Sequence, residues 1–180
     1  MDNIILGLDI STSITGATVI QNGQILKTTF WDTRNKKHFP TIYNKAQYIK
    51  KQLEDLCFDY KISQIYIEQS LHSFRSGFSS AQTLSTLSRF NGIISWICWD
   101  LLGIQPEMIA ATSARKQAGV GIKRGDNAKE KVLQFIIDKY PDIEIQYTKH
   151  GNPKPGTLDM CDSIVIALAG DKLVREAQTT

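Results

Sequence analysis

The run Ile4-Ile5-Leu6-Gly7-Leu8-Asp9-Ile10 constrains this chain more than any other stretch. Aliphatic and β-branched residues closed by Ser11-Thr12-Ser13 and then Gly16 predict a strand covered on both faces. Within it sits one acid, Asp9. Burying a carboxylate costs several kcal/mol, on the order of the penalty for any uncompensated ion, unless something positive meets it. Asp9 therefore either caps the turn with its own side chain or holds a metal on a rigid element. Its companions further along the chain bear on the choice.

Glu68 ends a second apolar strand, Ile65-Tyr66-Ile67-Glu68. Asp159 and Asp162 fall in the first turns of a closing helix, and a three-residue step puts both on one face. Ile164, Val165, Ala167 and Leu168 follow and anchor that end in the core. Any one of these acids alone reads as a cap or a solvated charge. Together, on strongly apolar elements, they would repel one another unless cations intervened. An all-oxygen group of this kind is what Mg²⁺ requires.

The rest of the chain reads as α/β. Asn22-Gly23 between two apolar-rich runs (17–21 and 24–30) predicts a tight hairpin, so three strands open the chain as a meander. A helix over 41–58 follows, with Ile42, Ala46, Ile49, Leu53 and Leu56 on one face. After the 64–69 strand comes a Ser-rich loop, then an almost uncharged helix over 80–102 that carries Trp96 and Trp99. A strand over 106–111, a short helix capped by Thr112 or Ser113, a helix from Asp126 to Tyr140, and a final helix capped by Thr157 complete the plan. At 180 residues the chain is expected to form one domain, 1–180.

The formal charge of +3 does not by itself argue for nucleic acid, but its distribution does. Arg34, Lys36, Lys37, Lys45, Lys50 and Lys51 lie in a stretch without an acid. Arg115, Lys116, Lys123, Arg124, Lys129 and Lys131 form a second basic zone around Asp126 and Glu130. Two such zones suit a polyanion, although lysine runs are more often plain solvated surface. Cys57, Cys98 and Cys161 have neither zinc nor disulfide spacing, which fits a reducing cytosol. No signal peptide and no membrane span are expected.

At this point the sequence resembles a known family. Gly7-Leu8-Asp9-Ile10-Ser11 with Thr15-Gly16, then Ile65-Tyr66-Ile67-Glu68-Gln69, then the 158–168 stretch with Asp159 and Asp162, are similar to successive motifs of RuvC-type Holliday junction resolvases. The segment Ala111–Lys116 and its following Gly-Val-Gly resemble the basic segment between them. The Ser11-Thr12-Ser13 turn lacks the Pro-Gly common in bacterial members, and the 33–39 and 141–156 loops are longer, which points to a phage- or virus-type branch. The resemblance implies an RNase H-like fold: a five-stranded mixed sheet, three antiparallel strands then two parallel, flanked by helices. It also implies a homodimer on four-way DNA junctions, for which the uncharged 80–102 helix is a suitable interface. The aromatic residue that such resolvases carry soon after the second acid would be Phe74, stacking on unpaired bases, with Arg75 beside it.

The expected activity is a Mg²⁺-dependent, structure-selective endonuclease that resolves branched DNA in the bacterial or infected-cell cytosol. Asp9, Glu68, Asp159 and Asp162 would hold two Mg²⁺ per site, with Mn²⁺ able to substitute, for in-line hydrolysis leaving 5′-phosphate and 3′-hydroxyl ends. Arg115, Lys116, Lys123, Arg124 and Lys129 would neutralise backbone phosphates. Asp126 and Glu130 compete weakly for a metal role. The alternatives are a related nuclease acting on RNA or replication forks, and a DNA-binding module with a degenerate site. Actin-like sugar kinases and ATPases share the opening motif, but they need a second related domain that this length does not hold.

Overall fold

Asn22-Gly23 makes the turn its chemistry calls for: both residues take positive φ, 51° and 78°, as a type I′ hairpin demands. In the computed structural model, which describes residues 3–69 and 81–179, this turn joins β2 (Ile14–Gln21) to β3 (Gln24–Asp32). β2 also pairs antiparallel with β1 (Ile4–Asp9), whose other edge takes β4 (Gln64–Glu68) in parallel. A short β5 (Glu107–Ile109) pairs parallel with β4, giving the sheet order β3-β2-β1-β4-β5. This is the mixed sheet expected from the sequence.

Strand alternation sorts the core into two layers. Leu6 and Leu8 of β1, with Ile65 and Ile67 of β4, pack against α1 (Ile42–Asp59) and α2 (Ala81–Leu102). Ile5 and Tyr66 point the other way, into a layer with α3 (Ala111–Ala118), α4 (Ala128–Lys139) and α5 (Thr157–Gln178). The same parity assigns Gly7, Asp9 and Glu68 to the α5 face. α5 is apolar nearly all round and buried along most of its length, so it is the central helix of that layer.

Several boundaries move. β5 stops after three residues, and α3 begins directly at Ala111 behind Ala110, so Thr112 and Ser113 lie inside the first turn rather than capping it. Asn127, not Asp126, caps α4, accepting from the backbone N–H groups of Lys129 and Glu130. Gly156, at φ 92°, precedes α5, and Thr157 is its buried first residue. The 141–156 segment carries a small hairpin, bridged between Tyr147 and Pro153. No described helix is long and apolar enough to cross a membrane.

Candidate metal centre

Asp9 and Glu68 end neighbouring parallel strands, where Leu8 pairs with Ile67. Asp159 and Asp162 reach the same end of the sheet because two glycines let α5 lie directly on it. A Cβ at Gly7 would come within 2.5 Å of the Ala167 nitrogen and 2.7 Å of the Ser163 carbonyl. One at Gly16, which pairs with Asp9, would run into the Asp159 carbonyl. Both glycines matter here for close backbone approach. A hydroxyl chain reinforces the contact: Thr18 Oγ1 lies 2.7 Å from Ser163 Oγ and 2.8 Å from Thr28 Oγ1, and Ser163 donates to the Met160 carbonyl.

The four carboxyls are near enough to act on one another. Burial first, then Glu68, Asp162 and Asp159, push the Asp9 carboxyl well above its ordinary value. Glu68 is pushed up to about 7 by burial and by Asp162, against the pull of Arg115 and Lys129. Burial also raises Asp159 and Asp162. Lys129 acts on all four acids, Arg115 on Glu68 and Asp162, and Arg34 on Asp159. Lys116, Lys123 and Arg124 are exposed and are not among the cations these acids feel. Phe74 and Arg75 lie outside the described residues.

Asp126 and Glu130 have local structural uses instead. Asp126 accepts from the Lys123 backbone N–H at 2.8 Å, and Glu130 accepts from the Asn127 side chain at 2.9 Å.

The surroundings hold the strand ends in place. Ser11 Oγ accepts from the backbone N–H of Ile14 and donates to its carbonyl, closing the turn after Asp9. Lys45 Nζ donates to the Thr12 carbonyl in that turn, and Thr33 donates to Ser13. The buried Asn91 of α2 donates to the Glu68 carbonyl at 3.3 Å. Sequence reasoning counted Lys45 and Arg34 only as members of a basic zone. Their roles depend on which turn and which helix end face them, and no local signal carries that.

Among the described residues, no three Cys, His, Asp or Glu side chains are drawn together into a closed metal shell. The donor set nonetheless fits a hard divalent cation. It consists of carboxylate oxygens alone, on rigid elements, in a place where positive charge would relieve repulsion.

Comparison with solved structures gives the same fold. The chain superimposes on Thermus thermophilus RuvC in complex with a Holliday junction substrate with a TM-score of 0.68 at 12% identity, covering 97% of this chain and 96% of that one. A second Thermus thermophilus RuvC structure gives 0.66 at 13%, covering 97% and 96%. The yeast mitochondrial Holliday junction resolvase gives 0.61 at 12%, covering 98% of this chain and 81% of that one. No family model and no curated protein matches the sequence. The structural neighbours are thus RuvC-type resolvases, and the shared property is the RNase H-like fold.

Proposed function

We propose that the protein is a divalent-metal-dependent, structure-selective endonuclease that resolves four-way DNA junctions by paired nicking. One observation carries this reading. Asp9, Glu68, Asp159 and Asp162 gather near one end of the sheet, within the electrostatic reach of Lys129, Arg115 and Arg34. A lone buried acid has many uses, whereas a buried set flanked by cations suits a metal and a polyanion together. The likeness in fold to resolvases, one of them solved with a Holliday junction substrate, supports it.

Bound at these acids, Mg²⁺ would supply a water of lowered pKa and stabilise the leaving 3′-oxygen. Asp9 and Glu68 would hold ions from the sheet side, and Asp159 and Asp162 from the helix side. Arg115 and Lys129 would meet phosphate oxygens of the strand being cut, placing it without reading its sequence. Paired nicking asks for two such sites, which a homodimer through α2 would provide. There Trp96 and Trp99 are 57% and 53% exposed, one helical step apart, with Gly92 on the same face. Cys57, Cys98 and Cys161 are free thiols, in keeping with work in a reducing cytosol.

The test is incubation with a labelled four-way junction, a fork and a linear duplex, with and without Mg²⁺. Paired nicks in the junction only when metal is present are expected. No metal-dependent cutting of any branched DNA would overturn the reading, and preferential cutting of forks or RNA would move it to a related nuclease.

A further inference from the structure

Beside the first turn of α5, a groove of about 400 Å³ opens between β3 and the 141–157 segment. Its inner end is formed by Thr157 and Met160, which flank Asp159 in the chain. Its inner wall is Thr28, Thr29 and Phe30 of β3, and its outer wall carries Gln146 and Lys154. Arg34 lies on the rim and is close enough to Asp159 to pull that carboxyl downward. The groove therefore lies beside the first turn of α5, the turn that carries Asp159.

The walls are built rather than incidental. The hairpin bridged at Tyr147 and Pro153 is closed by the Lys154 backbone N–H donating to the Gln146 carbonyl at 2.8 Å. Lys154 Nζ also donates to Gln146 Oε1 at 3.2 Å, which directs its ammonium. The Phe30 ring, 38% exposed, lies against Gly156, where any Cβ would collide with it. Arg34 is held by a fork of contacts to Asp32 of 2.6–3.1 Å. Two directed cations, threonine hydroxyls, an amide and a half-open ring suit phosphates and sugars, while Glu144 is the acid on this wall.

We propose that this groove holds the nucleic-acid strand next to the cleaved phosphate, with Arg34 and Lys154 against its backbone phosphates. The inference rests on the nuclease reading above and adds a path to it. DNA would enter over α3 and α4, pass the acids, and continue between β3 and the hairpin. Arg34 and Lys154 on its walls, and its place beside the helix turn that carries Asp159, select this occupant.

Lys154→Gln tests it. Lys154 is exposed and its variant leaves no buried charge, whereas removing Arg34 would uncover Asp32. Junctions carrying one neutral methylphosphonate at each position around the nick are bound and cut by wild type, Lys154→Gln and Lys154→Arg. Wild type is expected to bind less tightly when one particular phosphate on one side of the nick is neutral. Lys154→Gln should lose that sensitivity, and the slope of log affinity against log salt should shrink by about one unit. Lys154→Arg should restore both. Unchanged slope and unchanged phosphate sensitivity in Lys154→Gln, in a protein that still nicks junctions, would overturn the groove alone. Failure of wild type to bind or nick any branched DNA would overturn the groove and the nuclease reading together.

Discussion

Asp9 combines two costs, burial and the proximity of three other acids. Asp9→Asn keeps the shape and removes the charge. Cleavage should fall by roughly a thousandfold or more, as the loss of several kcal/mol of metal-borne stabilisation requires. The metal-free fold should gain stability at neutral pH, because the repulsion that raises the Asp9 carboxyl is removed. Glu68 sets the accompanying pH dependence, since its carboxyl rises from 4.5 to about 7 in the folded chain. The unfolded chain releases that proton first, so the site costs stability as pH rises from about 4.5 to 7. Below that window the cost is absent. Melting of metal-free wild type should therefore drop between about pH 4.5 and pH 7 relative to Glu68→Gln, and Mg²⁺ should recover it. An Asp9→Asn variant that cleaves at the wild-type rate would remove Asp9 from the site.

At the scale of elements, the closeness of α5 to the sheet decides whether the helix acids reach the strand acids. Gly16 sits where the Asp159 backbone passes, and Gly7 where Ser163 and Ala167 pass. Gly16→Ala forces the start of α5 outward against well-packed strands. We expect a loss of about 1–3 kcal/mol, with cleavage falling further than stability alone explains. Gly121 is the internal control: it is exposed, and a Cβ there meets nothing within 4 Å. Gly121→Ala should leave stability unchanged or raise it by up to about 1 kcal/mol. Denaturant melts of the pair decide it. Equal stability of Gly16→Ala and wild type would mean that α5 can retreat freely and that the close approach is not required.

For the whole molecule, the sheet separates two helical layers. One layer brings α3, α4 and α5 to the acids, and the opposite layer places α2 outward with its two exposed tryptophans. Large exposed rings on one helical face suit burial against a second copy. Sedimentation of wild type at micromolar concentration should give a dimer. Trp96→Glu should give a monomer that still folds and binds a junction more weakly, with nicks no longer paired. A wild-type monomer under those conditions would require another route to two cuts.

Much of this was legible in the sequence because it is local. The apolar run Ile65-Tyr66-Ile67 ending in Glu68, the Asn22-Gly23 turn, the buried face of α1 and the three-residue step from Asp159 to Asp162 are each set by a few neighbouring residues. Those same signals named the acids and the sheet's strands. Helix starts were less legible: Ala110 and Gly156 hold positions that better-capping neighbours claim, and Asn127 takes the cap expected of the equally good Asp126. The chain path into a helix outweighs a cap worth about 1 kcal/mol. Other features depended on surfaces far apart in the chain meeting: Gly16 against Asp159, Lys45 on the Thr12 carbonyl, Lys129 facing all four acids, and Arg34 joining Asp159 to the groove at Lys154. Local preference sets what each segment becomes, and tertiary packing alone sets which charges share a site, because Coulomb forces depend on distance in space and not along the chain.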